Sequence, residues 1–157
     1  MRKVSKEDKQ FINNICEVAI KYRTKKDLSS AKKITKSTDT YNFFKPFFDE
    51  CMEQYEQSFA MLLNRQNIPM GIINIGSGSA CGTVMDVQRL LRIAILMNAQ
   101  GVIIAHNHPS GNLNASTEDK NMTQKIKQAC KVMDINLLDH IILTKDSYYS
   151  FADNEIF

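Results

Sequence analysis

Two histidines one residue apart, at the end of a β-branched run, are the feature of this sequence with the clearest chemical use. In VIIAHNH, His106 and His108 sit at positions i and i+2. An extended backbone points such residues to one side, so both imidazoles can converge on one ion. Asp119 follows His108 by 11 residues, across a loop that carries Pro109 and Gly111 and is long enough to fold back. Two imidazoles and a carboxylate suit Zn2+, one per chain, with the fourth tetrahedral position left for water. Such an ion lowers the pKa of water from ~16 to about 7 and polarises a carbonyl. Hydrolysis then needs an acidic residue to take and return a proton. Glu56 is a candidate, although spacing alone does not separate it from the other carboxylates. Ser116-x-x-Asp119 also reads as a helix capping box in its own right. Capping and ligation are compatible, because a carboxylate has two oxygens.

The elements that must hold these residues can be traced along the chain. Val102–His106 is short and β-branched, as a central strand requires. Ser116 starts a helix with Met122, Ile126, Ala129, Cys130 and Met133 on its buried side. SFAMLLN (58–64) and GIINIG (71–76) are apolar runs separated by the turn-like NRQNIP, which predicts an antiparallel hairpin. Residues 85–98 have Val87, Leu90, Leu91, Ala94 and Ile95 spaced for one helical face. NLLDHIILT (136–144) and YYSF (148–151) read as strands joined by the turn KDS. Thr38 or Asp39 is expected to cap a helix to about Met52, with Tyr41, Phe44, Phe47 and Phe48 as its stripe and Pro46 interrupting or kinking it. Residues 5–14 suggest a short polar helix, 16–24 a strand, 25–37 a linker and SGSACGT a small-residue loop. The order is α/β (α+β), with antiparallel pairing at the hairpins rather than regular βαβ units.

The chain has 157 residues, 43% of them hydrophobic and 24% charged, which fits one ordinary domain with one core. Residues 1–50 carry 12 Lys or Arg against 7 Asp or Glu, and the remainder 8 against 10. The basic segment can touch nucleic acid, but a solvated lysine-rich face is the simpler reading. Cys16, Cys51, Cys81 and Cys130 include no C-x-x-C pair, and no base is placed for Cys81. No apolar stretch of about 18 residues exists to span a membrane, and no signal peptide opens the chain. A reducing, cytoplasmic setting is expected.

The pattern of His106-x-His108, seven residues, then Ser116-x-x-Asp119 resembles the JAMM signature of the MPN superfamily of metalloproteases. HNHPSG, with LLDH and YYSFAD downstream, is similar to the RadC branch of that superfamily, and the likeness runs from about residue 38 to Phe157. It implies an MPN domain over 38–157, with the cytidine-deaminase-like fold of a curved mixed sheet flanked by helices, and a basic extension over 1–37. It implies His106, His108 and Asp119 as zinc ligands and Ser116 as the group that orients water or steadies an oxyanion. The family's glutamate stands eight residues before an Asp or Asn, as Glu56 stands before Asn64. Here Ser58 follows at the place where relatives often carry phenylalanine, and Glu53 is close by. Gly82-Thr83 would shape the rim. His140 is expected to be a packed, hydrogen-bonded residue whose side chain does not pair with Asp139.

Three functions follow from the resemblance. The first is a metallopeptidase or isopeptidase acting on an unidentified peptide or protein substrate. The second is a DNA-repair-associated factor, weakened because residues 1–37 offer no helix–hairpin–helix pattern. The third is an inert MPN interaction scaffold, against which the intact His, His, Ser, Asp set argues. Oligomeric state is not legible.

Overall fold

The computed structural model describes residues 32–78 and 85–155. In chain order these form helix α1 (Ser37–Phe44), a 3-10 turn (Lys45–Phe47), strands β1 (Gln57–Leu63) and β2 (Pro69–Ser77), and helix α2 (Val87–Leu96). Strand β3 (Gly101–Asn107), helix α3 (Thr117–Val132) and strands β4 (Asn136–Leu143) and β5 (Tyr148–Ser150) follow. The strands make one open mixed sheet in the order β2-β1-β3-β4-β5. The β1–β2, β1–β3 and β4–β5 pairs are antiparallel and β3–β4 is parallel. The expected α+β class and the expected hairpin are therefore present, as is one βαβ crossover through α3.

Every residue of β3 is buried, which is why this strand reads as a continuous apolar run rather than an alternation. The alternation is nevertheless there, sorted onto two faces. Ala60, Leu62, Val102, Ile104 and Leu137 pack with Leu90 and Ala94 of α2 and Ile126 and Cys130 of α3. Met61, Leu63, Ile103, Ala105, Ile141 and Leu143 pack instead with Phe44, Phe48 and Ile34. Burying one such aliphatic side chain contributes about 1.5–3 kcal/mol, so the two clusters fix the register of β3 against both neighbours.

Several expectations need correction. The helix expected to reach Met52 ends at Phe44 and continues only as the 3-10 turn Lys45–Phe47, because Pro46 has no N–H to donate. Neither Thr38 nor Asp39 caps it. Lys36 occupies the cap without a side-chain bond, and Asp39 accepts from Thr35 N and Thr35 Oγ1 at 3.2 and 2.8 Å. Phe47, Ile95 and Met133, placed on buried stripes, are 42%, 47% and 43% exposed. Each lies at the end of its element. The expected linker 25–37 is described only from Lys32, and there Ile34 is buried and donates its N–H to Asn67 O at 2.9 Å. The helix at 5–14, the strand at 16–24, Cys16, Cys81, Gly82 and Thr83 lie outside the described residues.

Candidate metal centre

The site forms where β3 ends and α3 begins. In an open sheet the carboxyl end of a strand feeding a crossover helix leaves a crevice, and loops there are free to carry functional groups. His106 is the penultimate residue of β3 and is 1% exposed, and His108, the first residue past the strand, is half-buried. Ser116 caps α3, and the full capping box is made: Asp119 N donates to Ser116 Oγ at 3.0 Å and Ser116 N donates to Asp119 Oδ2 at 2.8 Å. The Ser116 hydroxyl proton also goes to Asp119 Oδ2, at 2.6 Å.

That box leaves Asp119 Oδ1 directed at the histidines, 3.1 Å from His106 Nε2, while Oδ2 stands 3.6 Å from His108 Nε2. His106 Nε2 and His108 Nε2 are 2.9 Å apart. One ligating atom from each of the three residues lies within 4.8 Å of the others. The Asn112 carbonyl can only accept, so His108 donates to it from Nδ1 at 2.6 Å, and neutral His108 then has its lone pair on Nε2. With the histidines neutral these groups stand close enough to share one cation, and two imidazoles with one carboxylate form a zinc-type donor set. The residues fit the ion.

The same convergence governs charge. Burial acts to raise the Asp119 carboxyl, but hydrogen bonds from His106, His108 and Ser116 and the charge of His106 hold it well below the usual carboxylate range. Burial acts to lower His108, yet the Asp119 hydrogen bond, the Asn112 carbonyl and the charges of Asp119 and Glu56 leave it raised. His140, fully buried, is pushed well below the ordinary imidazole value by loss of hydration.

Glu56 precedes β1 and is half-buried. The β1–β3 pairing ends with Ser58 opposite His106, and Glu56, two residues earlier, is near enough for its charge to act on His108. Glu53, the neighbouring alternative, is turned out to solvent and holds Lys145 at 3.0 Å.

Sequence reasoning missed Asn107 and Thr123. Asn107, between the histidines in sequence, points to the opposite face, where it is fully buried. Its side-chain amide donates to the carbonyls of Cys51, Met52 and Tyr55 at 3.2, 3.1 and 3.0 Å and accepts from Gln57 N at 2.7 Å. It thereby ties the segment carrying Glu56 to the strand carrying His106. Thr123 lies four residues after Asp119 on α3, a spacing that shares a helical face. His140 is packed and hydrogen-bonded as expected, its ring stacked on Phe151 with centroids 4.6 Å apart. Its side chain does not meet that of Asp139, which accepts from Ser150 Oγ and Ala152 N.

Residues 34–156 match the family model for the RadC-like JAB domain. The chain is 38% identical over 131 residues to a UPF0758 protein of Flavobacterium johnsoniae, an alignment covering 83% of this chain and 56% of that one. It is 35% identical over 126 residues to a UPF0758 protein of Coprothermobacter proteolyticus, covering 79% and 54%. A UPF0758 protein of Haemophilus ducreyi is 33% identical over 137 residues, covering 86% and 61%. The chain thus spans between half and two thirds of the length of these curated relatives.

Proposed function

This chain belongs to the RadC-like JAB domain family, and from that premise we propose that it is a zinc-dependent hydrolase cutting a peptide-type bond in a peptide or protein substrate. The observation that supports this most is the convergence of His106 Nε2, His108 Nε2 and the Asp119 carboxylate within 4.8 Å. These three residues would hold one zinc per chain. When bound, zinc supplies Lewis-acid polarisation of a carbonyl and activation of water. The chain's own residues provide the rest. Asp119 stays ionised through its contacts with both histidines, and Ser116 and Asn112 fix the orientation of Asp119 and His108. Glu56, whose charge acts on His108, takes a proton and returns it to the leaving amine. With its hydroxyl proton on Asp119 Oδ2, Ser116 acts first as an orienter of the carboxylate. Its contribution to an oxyanion requires that proton to be redirected.

Metal content and turnover of a peptide library test the reading together. The expected result is about one zinc per wild-type chain, lost in His108→Ala, with Glu56→Gln retaining zinc but losing turnover, because it removes a base and not a ligand. Absence of zinc from wild type after incubation with zinc at neutral pH overturns it. The basic balance of residues 1–50 supports a second reading, a nucleic-acid-binding factor. Steeply salt-dependent DNA binding is its signature, and no binding at low salt removes it.

A further inference from the structure

Two of the candidate ligands are joined behind the site by a buried chain of hydrogen bonds through residues that are not ligands. Thr123 Oγ1 lies 2.6 Å from the Asp119 carbonyl oxygen and 2.6 Å from His140 Nδ1. His140 Nε2 lies 2.8 Å from His106 Nδ1. Thr123 is 1% exposed, His140 0% and His106 1%, so water does not compete for these groups.

The position of each proton follows from what each atom can do. A carbonyl oxygen only accepts, so the single hydroxyl proton of Thr123 goes to the Asp119 carbonyl. The Thr123 oxygen then accepts from His140 Nδ1–H. His140, buried away from any compensating carboxylate of its own strand, is neutral and has its lone pair on Nε2. That lone pair accepts from His106 Nδ1–H. The His106 nitrogen turned toward the site is Nε2, which faces Asp119 and His108. Stacking on Phe151 at an interplanar angle of 17° holds the His140 ring in the required orientation. Asp139 cannot replace it, because its carboxylate is engaged with Ser150 and Ala152 on the other face.

We infer that Thr123 and His140 are positioning residues that hold a proton on His106 Nδ1 and so leave Nε2 as the nitrogen offered to a metal. Partners of this kind orient metal-bound imidazoles, and their loss typically costs about 10–100-fold in metal affinity. Because the chain ends on the main chain of Asp119, it also holds α3 and β3 at a fixed spacing. The inference rests on the zinc reading for its purpose, but the Nδ1 proton and its hydrogen bond are properties of the metal-free protein.

Two measurements test it. Long-range 1H–15N NMR of metal-free wild type is expected to show a protonated, hydrogen-bonded His106 Nδ1, and Thr123→Val to show that nitrogen only partly protonated. Competition with a chromophoric chelator is expected to show zinc bound about 10–100-fold more weakly by Thr123→Val and His140→Leu. His140→Gln is expected to recover most of that loss, since an amide can accept from His106 and donate to Thr123. Thr123→Val is nearly isosteric and serves if His140→Leu does not fold. A His106 Nδ1 without a proton in wild type, or a Thr123→Val protein with wild-type Nδ1 protonation and affinity, overturns the inference. Wild type that takes up no zinc yet carries the Nδ1 proton, lost in Thr123→Val, defeats the metal reading and leaves the lock standing.

Discussion

Asp119 carries two duties with two oxygens: Oδ2 completes the cap of α3 and Oδ1 faces His106. Asp119→Asn is therefore expected to keep the helix and lose the metal, with unchanged far-UV circular dichroism and zinc content near zero. Glu53 and Glu56 are three residues apart but differ in surroundings. Glu53→Gln is expected to change stability by less than about 1 kcal/mol, since its partner Lys145 is equally exposed, and to leave zinc and turnover intact. Loss of turnover in Glu53→Gln would transfer the proposed base from Glu56. Asp39 tests a different balance. The Thr35 hydroxyl, the Lys32 ammonium and the Thr35 N–H hold its carboxyl at about 2 against an ordinary 3.8. The folded value is depressed, so the stabilisation is present above 3.8 and is lost as pH falls toward 2. The thermal midpoint of Asp39→Asn should fall less steeply than that of wild type across this acidic window.

At the scale of elements, the site depends on how β3 is tied to what flanks it. Asn107 is the tie to the segment before β1, and Asn107→Ala takes its side-chain partner from the Met52 carbonyl and the Gln57 N–H, while the Cys51 carbonyl keeps the N–H groups of Gln54 and Tyr55. Each such group costs about 1–3 kcal/mol, so a loss of several kcal/mol in urea unfolding is expected, with zinc binding less affected than turnover. An unchanged unfolding midpoint would mean that solvent replaces the clamp. Both α2 and α3 end on left-handed residues, Asn98 at φ 52° and Asp134 at φ 54°, and these reversals feed the chain into β3 and β4. Asp134→Gly removes a Cβ from a conformation that costs an L-residue about 1–2 kcal/mol. Part of that gain is offset by greater freedom in the unfolded chain, and a small rise in thermal midpoint is expected.

For the whole molecule, helices on both faces of an open sheet bury β3 completely and leave its carboxyl end as the place where chemistry is exposed. Among the described residues no helix is long and apolar enough to cross a membrane. If the three ligands hold zinc in the folded state alone, zinc should raise the thermal midpoint in a concentration-dependent way and a chelator should reverse it. A midpoint indifferent to zinc would argue against a site formed by folding.

The types and spacing of His106, His108, Ser116 and Asp119 made both the convergence of a cluster able to hold a metal and the capping box legible in the sequence, because strand and helix periodicity decide which neighbours share a face. The hairpin, the central strand and the helix behind it were legible for the same reason. Their ends were not: Ile95 and Met133 continue the apolar pattern and are nevertheless exposed. Nor could spacing show that Asn107 turns away to clamp residues 51–57, or that Thr123, His140 and His106 stand in line. Those contacts span 50, 17 and 34 residues of sequence. They exist only because a parallel β3–β4 pair and the helix crossing between them bring three distant segments to one edge.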